Sequence, residues 1–122
     1  MRQVNLAISS LTHAHVRKYY ATLDSNAKLN WVAVSCANEA VAEDFKLYGY
    51  DIPIYMSTEQ MLQEHPEIDG VVIASENHQH FADMELCAKY GKHMLSMKIP
   101  TFDLEEYDRM IQLVEEKDLI CQ

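Results

Sequence analysis

Apolar and polar positions fall into short blocks that change period along the chain. Val4-Asn5-Leu6-Ala7-Ile8 is an apolar block of strand length. Helical spacing follows from about His13 to Leu23, and Asp24-Ser25-Asn26 ends it. Leu29 to Ser35 (LNWVAVS) is rich in β-branched and aromatic residues and predicts a second strand. Asn38 is placed to cap a helix running to Tyr48, with Gly49 as its stop. Ile54-Tyr55-Met56 predicts a brief third strand, and Ser57 or Thr58 caps a short helix after it. Gly70-Val71-Val72-Ile73-Ala74 is apolar throughout, the pattern of a strand covered on both faces. A helix from about His80 to Tyr90 stops at Gly91, and His93 to Met97 predicts a fifth strand. Asp103 caps a last helix, Leu104 to Lys117, in which Leu104, Tyr107, Ile111 and Val114 share one stripe. Leu119-Ile120-Cys121 predicts the start of a sixth strand.

Strand alternating with helix in this way predicts an α/β fold, a three-layer doubly wound parallel sheet with helices on both faces. Right-handed crossovers make the order 3-2-1-4-5-6 the default. A length of 122 residues fits one domain, with no linker or repeat inside it.

Charge narrows the partners. Ten basic residues against nineteen acidic ones give 10 − 19 = −9, with a pI near 5.0. That balance lacks the basic face a nucleic acid or an anionic membrane surface requires, so neither partner is expected. Cys36, Cys87 and Cys121 are odd in number, widely spaced and without a CxxC pair. This points to free thiols and a cytoplasmic location. No run approaches the roughly 18 apolar residues of a membrane span.

In such a sheet, ligands sit beyond the carboxyl ends of the strands, where the strand order reverses. The segments at that edge are Ser9–His15, Ser35–Asn38, Ala74–His80 and Met97–Pro100. A dinucleotide site usually places GxGxxG after the first strand, because glycine lets the backbone approach the pyrophosphate. Here the turn reads Ser9-Ser10-Leu11-Thr12-His13-Ala14-His15, without a glycine. The second strand ends in Ser35-Cys36-Ala37-Asn38, without the carboxylate that would hold ribose hydroxyls.

Two later segments carry a family resemblance. Asp69 to His80 (DGVVIASENHQH) resembles the stretch "DaVviatPnhlH", and Gly91 to Pro100 (GKHMLSMKIP) resembles "GKHVlvEKPla". Both belong to the glucose–fructose oxidoreductase, inositol dehydrogenase and MocA-like (Gfo/Idh/MocA) dehydrogenases. The resemblance covers essentially the whole chain, but only that family's N-terminal nucleotide-binding half. It implies a Rossmann-like domain over residues 1–122 that takes NAD or NADP. It further implies a parent protein that oxidises a sugar, a polyol or a related hydroxyl compound. Lys98 matches the lysine of the EKP motif and is the implied catalytic residue. Ser75, Asn77 and His78 match the loop beside the cofactor, and His80 matches a histidine that orients that loop. Ser9, Ser10, Leu11, Thr12 and His13 occupy the place of the glycine-rich turn, and Cys36 that of the ribose-binding acid. The chain departs from the pattern at Met97 for Glu, Ile99 for Pro and Glu76 for Pro. The resemblance implies no catalysis without a second, substrate-binding domain, and it leaves association into a homo-oligomer open. The alternative is a Rossmann module without cofactor that serves in regulation or assembly.

A competing arrangement is metal binding by the two HxH pairs, His13-Ala14-His15 and His78-Gln79-His80, with Cys36 nearby. Side chains two apart on a helix aim roughly 200° apart, which hampers joint ligation. No metal is expected.

Overall fold

The structure is a computed structural model, and it describes residues 2–122. Five parallel strands form one sheet in the order β3-β2-β1-β4-β5. They are β1 (Val4–Ser9), β2 (Leu29–Ser35), β3 (Ile54–Tyr55), β4 (Gly70–Ile73) and β5 (His93–Ser96). The helices are α1 (Arg17–Ser25), α2 (Glu39–Lys46), α3 (Thr58–Glu64), α4 (His80–Lys89) and α5 (Leu104–Glu116). The doubly wound expectation holds, and the order reverses between β1 and β4.

The predicted sixth strand does not form. Its residues make one isolated parallel bridge, Met94 to Cys121. Three backbone bonds hold the segment beside β5: Met94 N–H to Ile120 O, Gln122 N–H to Met94 O, and Ser96 N–H to Gln122 O. The first helix also starts later than its apolar pattern predicts. Residues 13–16 form turns closed three residues apart, Val16 N–H to His13 O and Lys18 N–H to His15 O, so the α-helix proper opens at Arg17. The stripe predicted for α5 is turned partly outward. Met110 is its fully buried residue, whereas Leu104 is 82% exposed and Tyr107 and Ile111 are nearly half exposed.

Alternation across the sheet makes two cores. Ile8, Val34 and Val72 meet α1 and α2, where Tyr20, Trp31 and Phe45 pack ring against ring. Ala7, Ala33, Val71 and Ile73 meet Met61 and Leu62 of α3, Met84 and Cys87 of α4, and Met110 of α5. Between Leu6 and Ala7 the register with β2 slips by one residue, since Leu6 faces Trp31 and Ala7 faces Ala33. Val32 is the extra residue of this bulge. It lets Trp31 join one core and Ala33 the other.

Local signals agree with the elements. Asn38, Ser57 and Asp103 each cap a helix through the side chain, accepting from Val41, from Gln60, and from Glu105 and Glu106. Gly91 sits at φ 71°, the left-handed conformation that ends α4 cheaply. Lys92 is buried, and its Nζ donates to the carbonyls of Pro66 (2.9 Å) and Ile68 (2.7 Å). It thereby pins the turn entering β4 to the turn entering β5. Removing a charged donor leaves two carbonyls unpaired, at a cost on the order of 1–3 kcal/mol. Lys92→Met, which keeps the apolar stem, is therefore expected to lower unfolding free energy by that amount in urea titrations.

Candidate functional site

All five strands end on one row. Tyr55, Ser35, Ser9, Ile73 and Ser96 are register partners across the sheet, so its carboxyl edge is level. Ser9 and Ser35 are buried there on the α3 face. Thr58 Oγ1 bonds both, at 2.7 Å to Ser35 Oγ and 3.3 Å to Ser9 Oγ. Ser35 Oγ also accepts from the Ser10 backbone N–H at 3.2 Å. A hydroxyl cluster thus fixes the start of the β1–α1 turn.

Ser10 adopts φ 62°. This is the left-handed conformation that glycine usually supplies, and it costs an L residue roughly 1–2 kcal/mol. The turn therefore keeps at Ser10 a positive φ that glycine would adopt without strain, while carrying a side chain. Within it, the amides of Ser10, His13 and His15 are engaged, by Ser35 Oγ, Ala74 O and His13 Nδ1. Those of Leu11, Thr12 and Ala14 have no partner among the described residues.

Beside this turn lies a cleft of about 460 Å³ over the ends of β1, β2 and β4. Ser10, Thr12, Cys36 and Ser75, all expected at the site, line it. Cys36 is buried, and its thiol donates to Asn38 O at 3.3 Å. The sequence reading missed the carboxylates that do line the cleft: Glu59 at the start of α3, Glu76 before α4, and Asp83 in the first turn of α4. Their signal was local, since each follows a cap or a strand end, but only the fold brings them to one cleft. Burial pushes the Asp83 carboxyl above its ordinary range, and the hydroxyls of Ser75 and Ser9 act in the opposite sense.

Lys98 stands on the opposite side of the turn. His13 Nε2–H donates to Lys98 O at 3.2 Å while His13 Nδ1 accepts from the His15 N–H, which fixes one neutral tautomer. His80 is fully buried and its Nδ1–H donates to Ile99 O at 2.6 Å. The two rings stack, with centroids 5.9 Å apart. Two imidazoles therefore grip consecutive carbonyls of the lysine loop, and the exposed Lys98 side chain is presented from a fixed backbone. The structure thus brings Ser9, Ser10, Thr12, His13, Ser75 and Lys98 to one edge. Leu11 packs into the core instead, and Asn77 and His78 lie exposed on a short 3-10 turn. His13 and His80 are committed to carbonyls rather than to a shared metal. No group of three His, Cys, Asp or Glu able to hold a metal is found among the described residues.

This edge has known counterparts. A profile of an oxidoreductase family with an NAD-binding Rossmann fold, GFO_IDH_MocA, matches residues 9–122. The chain belongs to that family. Among solved structures, a protein designated an oxidoreductase from Klebsiella pneumoniae shares 31% identity at a TM-score of 0.81, over 99% of this chain and 34% of that one. One designated a dehydrogenase from Bordetella bronchiseptica RB50 shares 29% at 0.85, over 98% of this chain and 31% of that one. The fold is also that of scyllo-inositol dehydrogenase from Lactobacillus casei, solved with NAD(H) and scyllo-inositol, at 22% identity and a TM-score of 0.82. That match covers 99% of this chain and 36% of the dehydrogenase. The Gfo/Idh/MocA chain described here thus spans about a third of the length of each. A search of curated proteins gave no match. No helix among the described residues is long and apolar enough to cross a membrane.

Two outcomes are expected. Ser10→Gly relieves the left-handed strain and is expected to stabilise the domain by about 0.5–1 kcal/mol in thermal unfolding, net of the lost Ser10 Oγ–Thr12 Oγ1 bond. For Asp83 the native carboxyl binds its proton more readily than the unfolded one. Stability is then fully present below the unfolded value of about 4 and falls as pH rises towards the native one. Asp83→Asn removes that loss, so the variant should be the more stable at pH 7, with the difference vanishing below about pH 4.

Proposed function

We propose that residues 1–122 form the dinucleotide-binding domain of an NAD-dependent oxidoreductase acting on a hydroxyl group of a sugar, polyol or related compound. The observation that carries this reading is the placement of Lys98, held by the His13 and His80 imidazoles at the carboxyl edge where the strand order reverses. Substrate binding and turnover are assigned to a further domain, as the relatives' greater length supports.

The residues present fit a dinucleotide. The cleft over β1, β2 and β4 offers Met56, Ala37 and Leu86 to a flat base, and Glu59 and Glu76 as acceptors for ribose hydroxyls. The unpartnered amides of Leu11, Thr12 and Ala14, with the Thr12 hydroxyl, would hold the pyrophosphate. A bound nicotinamide would supply the hydride acceptor. The chain's own contribution is at Lys98. Its exposed ammonium pairs with no carboxylate among the described residues, so it is available to orient a substrate hydroxyl and to hold or return that oxygen's proton. No Lys, Arg or His lines the cleft, whereas Glu59, Glu76 and Asp83 do. A 2′-phosphate would meet carboxylates and no cation, which favours NAD over NADP.

The second reading is a module without cofactor, serving in regulation or assembly. The side chain on the left-handed Ser10 and the engaged thiol of Cys36 favour it. Calorimetric titration separates the two. Saturable NAD(H) binding, at least about tenfold tighter than NADP(H) (1.4 kcal/mol) and weakened by Ser10→Asp, is the expected result. No heat at millimolar cofactor would reject the enzyme reading and leave the second.

A further inference from the structure

The turn after β1 separates two clefts of opposite charge. The first is the carboxylate-lined cleft already described. The second, of about 430 Å³, lies between α1 and the loop after β5. His15, Lys18, Tyr19 and Thr22 form one of its walls, and Ser96 and Lys98 help form the other. The α1 residues Lys18, Tyr19 and Thr22 recur at spacings of one and three and so lie on one side of the helix, and His15 precedes it in the turn. No carboxylate lines this cleft. In a chain of net charge −9 that is a marked local reversal. Elsewhere five cations are answered, Arg2 by Asp69, Arg17 by Asp44, Lys46 by Glu43, Lys89 by Glu59 and Arg109 by Glu85, while Lys28 and Lys117 are exposed without a carboxylate partner among the described residues. Lys18 and Lys98 pair with no carboxylate among the described residues, and both face the same space as three hydroxyls.

Two unpaired lysines lining one cleft both attract an anion placed between them, and no carboxylate there competes for it. Hydroxyls of Tyr19 and Thr22 add donors on the rim, whereas the Ser96 hydroxyl already donates to Met97 O. We propose that this cleft is an anion seat, and that the compound whose hydroxyl reaches Lys98 carries a carboxylate or a phosphate. A hydroxy acid, a sugar acid or a sugar phosphate fits it, and a neutral polyol does not. The substrate half of this inference rests on the dehydrogenase reading above, whereas the seat itself rests on the cleft alone.

The test is titration of the ¹⁵N-labelled chain with inorganic phosphate, D-glucuronate and myo-inositol, followed by amide shifts. The first two are expected to move His15, Lys18, Thr22 and Lys98 saturably, and myo-inositol is expected to leave them unmoved. Lys18→Gln should weaken phosphate at least about fivefold, while Lys28→Gln, which removes the same charge from an exposed site elsewhere, should not. Equal effects of both variants, or shifts spread over all lysines, would overturn the seat. The titration is repeated with saturating NAD(H). Retained phosphate binding supports a substrate anion, and competition assigns the cations to the cofactor's own phosphates and overturns the substrate claim. Phosphate binding in a chain that takes no NAD(H) leaves the seat standing and overturns the dehydrogenase reading alone.

Discussion

The common register of the five strands is the constraint from which the rest of the edge follows. Parallel pairing sets Ser9 beside Ser35 and Ile73, and these beside Tyr55 and Ser96. Side chains alternate with a period of two, so a slip of one residue would exchange the two faces of a strand. The bulge at Val32 is such a slip, used once. It leaves Trp31 in the aromatic core on one face and lets Ser35 point with Ser9 to the other. Had the ladder run without the bulge, the hydroxyl that receives the Ser10 amide would face α1 and α2. The β1–α1 turn would then lose the anchor that holds its first residue.

Both clefts are consequences of where that turn stands. It rises between β2 and β4, so whatever lies on its α3 side is lined by residues that open α3 and α4, whose first turns carry Glu59 and Asp83. What lies on its far side is lined by α1 and by the β5 loop, which carry Lys18 and Lys98. A single backbone feature thus sorts charge into two fields of opposite sign. Both open to water, and at physiological salt the screening length is about 8 Å, so each cleft acts on its own occupant more than on the other's.

What the sequence made legible was local. The caps at Asn38, Ser57 and Asp103 and the stop at Gly91 are read from one residue and its near neighbours, and each stands where the pattern predicts. The alternation of elements was enough for a doubly wound sheet, because parallel strands admit few connections. The sixth strand was read from three apolar residues, and among the described residues they make a single bridge to Met94. The start of α1 failed because His13 spends its amide on Ala74, a contact 61 positions away that no periodicity encodes. Glu59, Glu76 and Asp83 were invisible as a group for the same reason. Lys98 was found through its motif, but the grip on its carbonyls joins residues 13, 80, 98 and 99 and belongs to the fold.

The loss of glycine from the turn bears differently on folding and on binding. Glycine serves such a loop in two ways, by adopting positive φ and by leaving room for a phosphate. Ser10 still provides the first at φ 62°. The strain is set against two bonds a glycine-rich turn would divide differently, the Ser10 N–H to Ser35 Oγ and the Ser10 Oγ to Thr12 Oγ1 at 3.0 Å. The turn is therefore intact as a backbone. What a side chain takes away is room, and the burden falls on the affinity of whatever approaches the amides of Leu11, Thr12 and Ala14, while the fold stands without it. A chain can thus keep the architecture of a dinucleotide site long after its sequence fingerprint has worn away, provided one hydroxyl on the neighbouring strand still holds the turn.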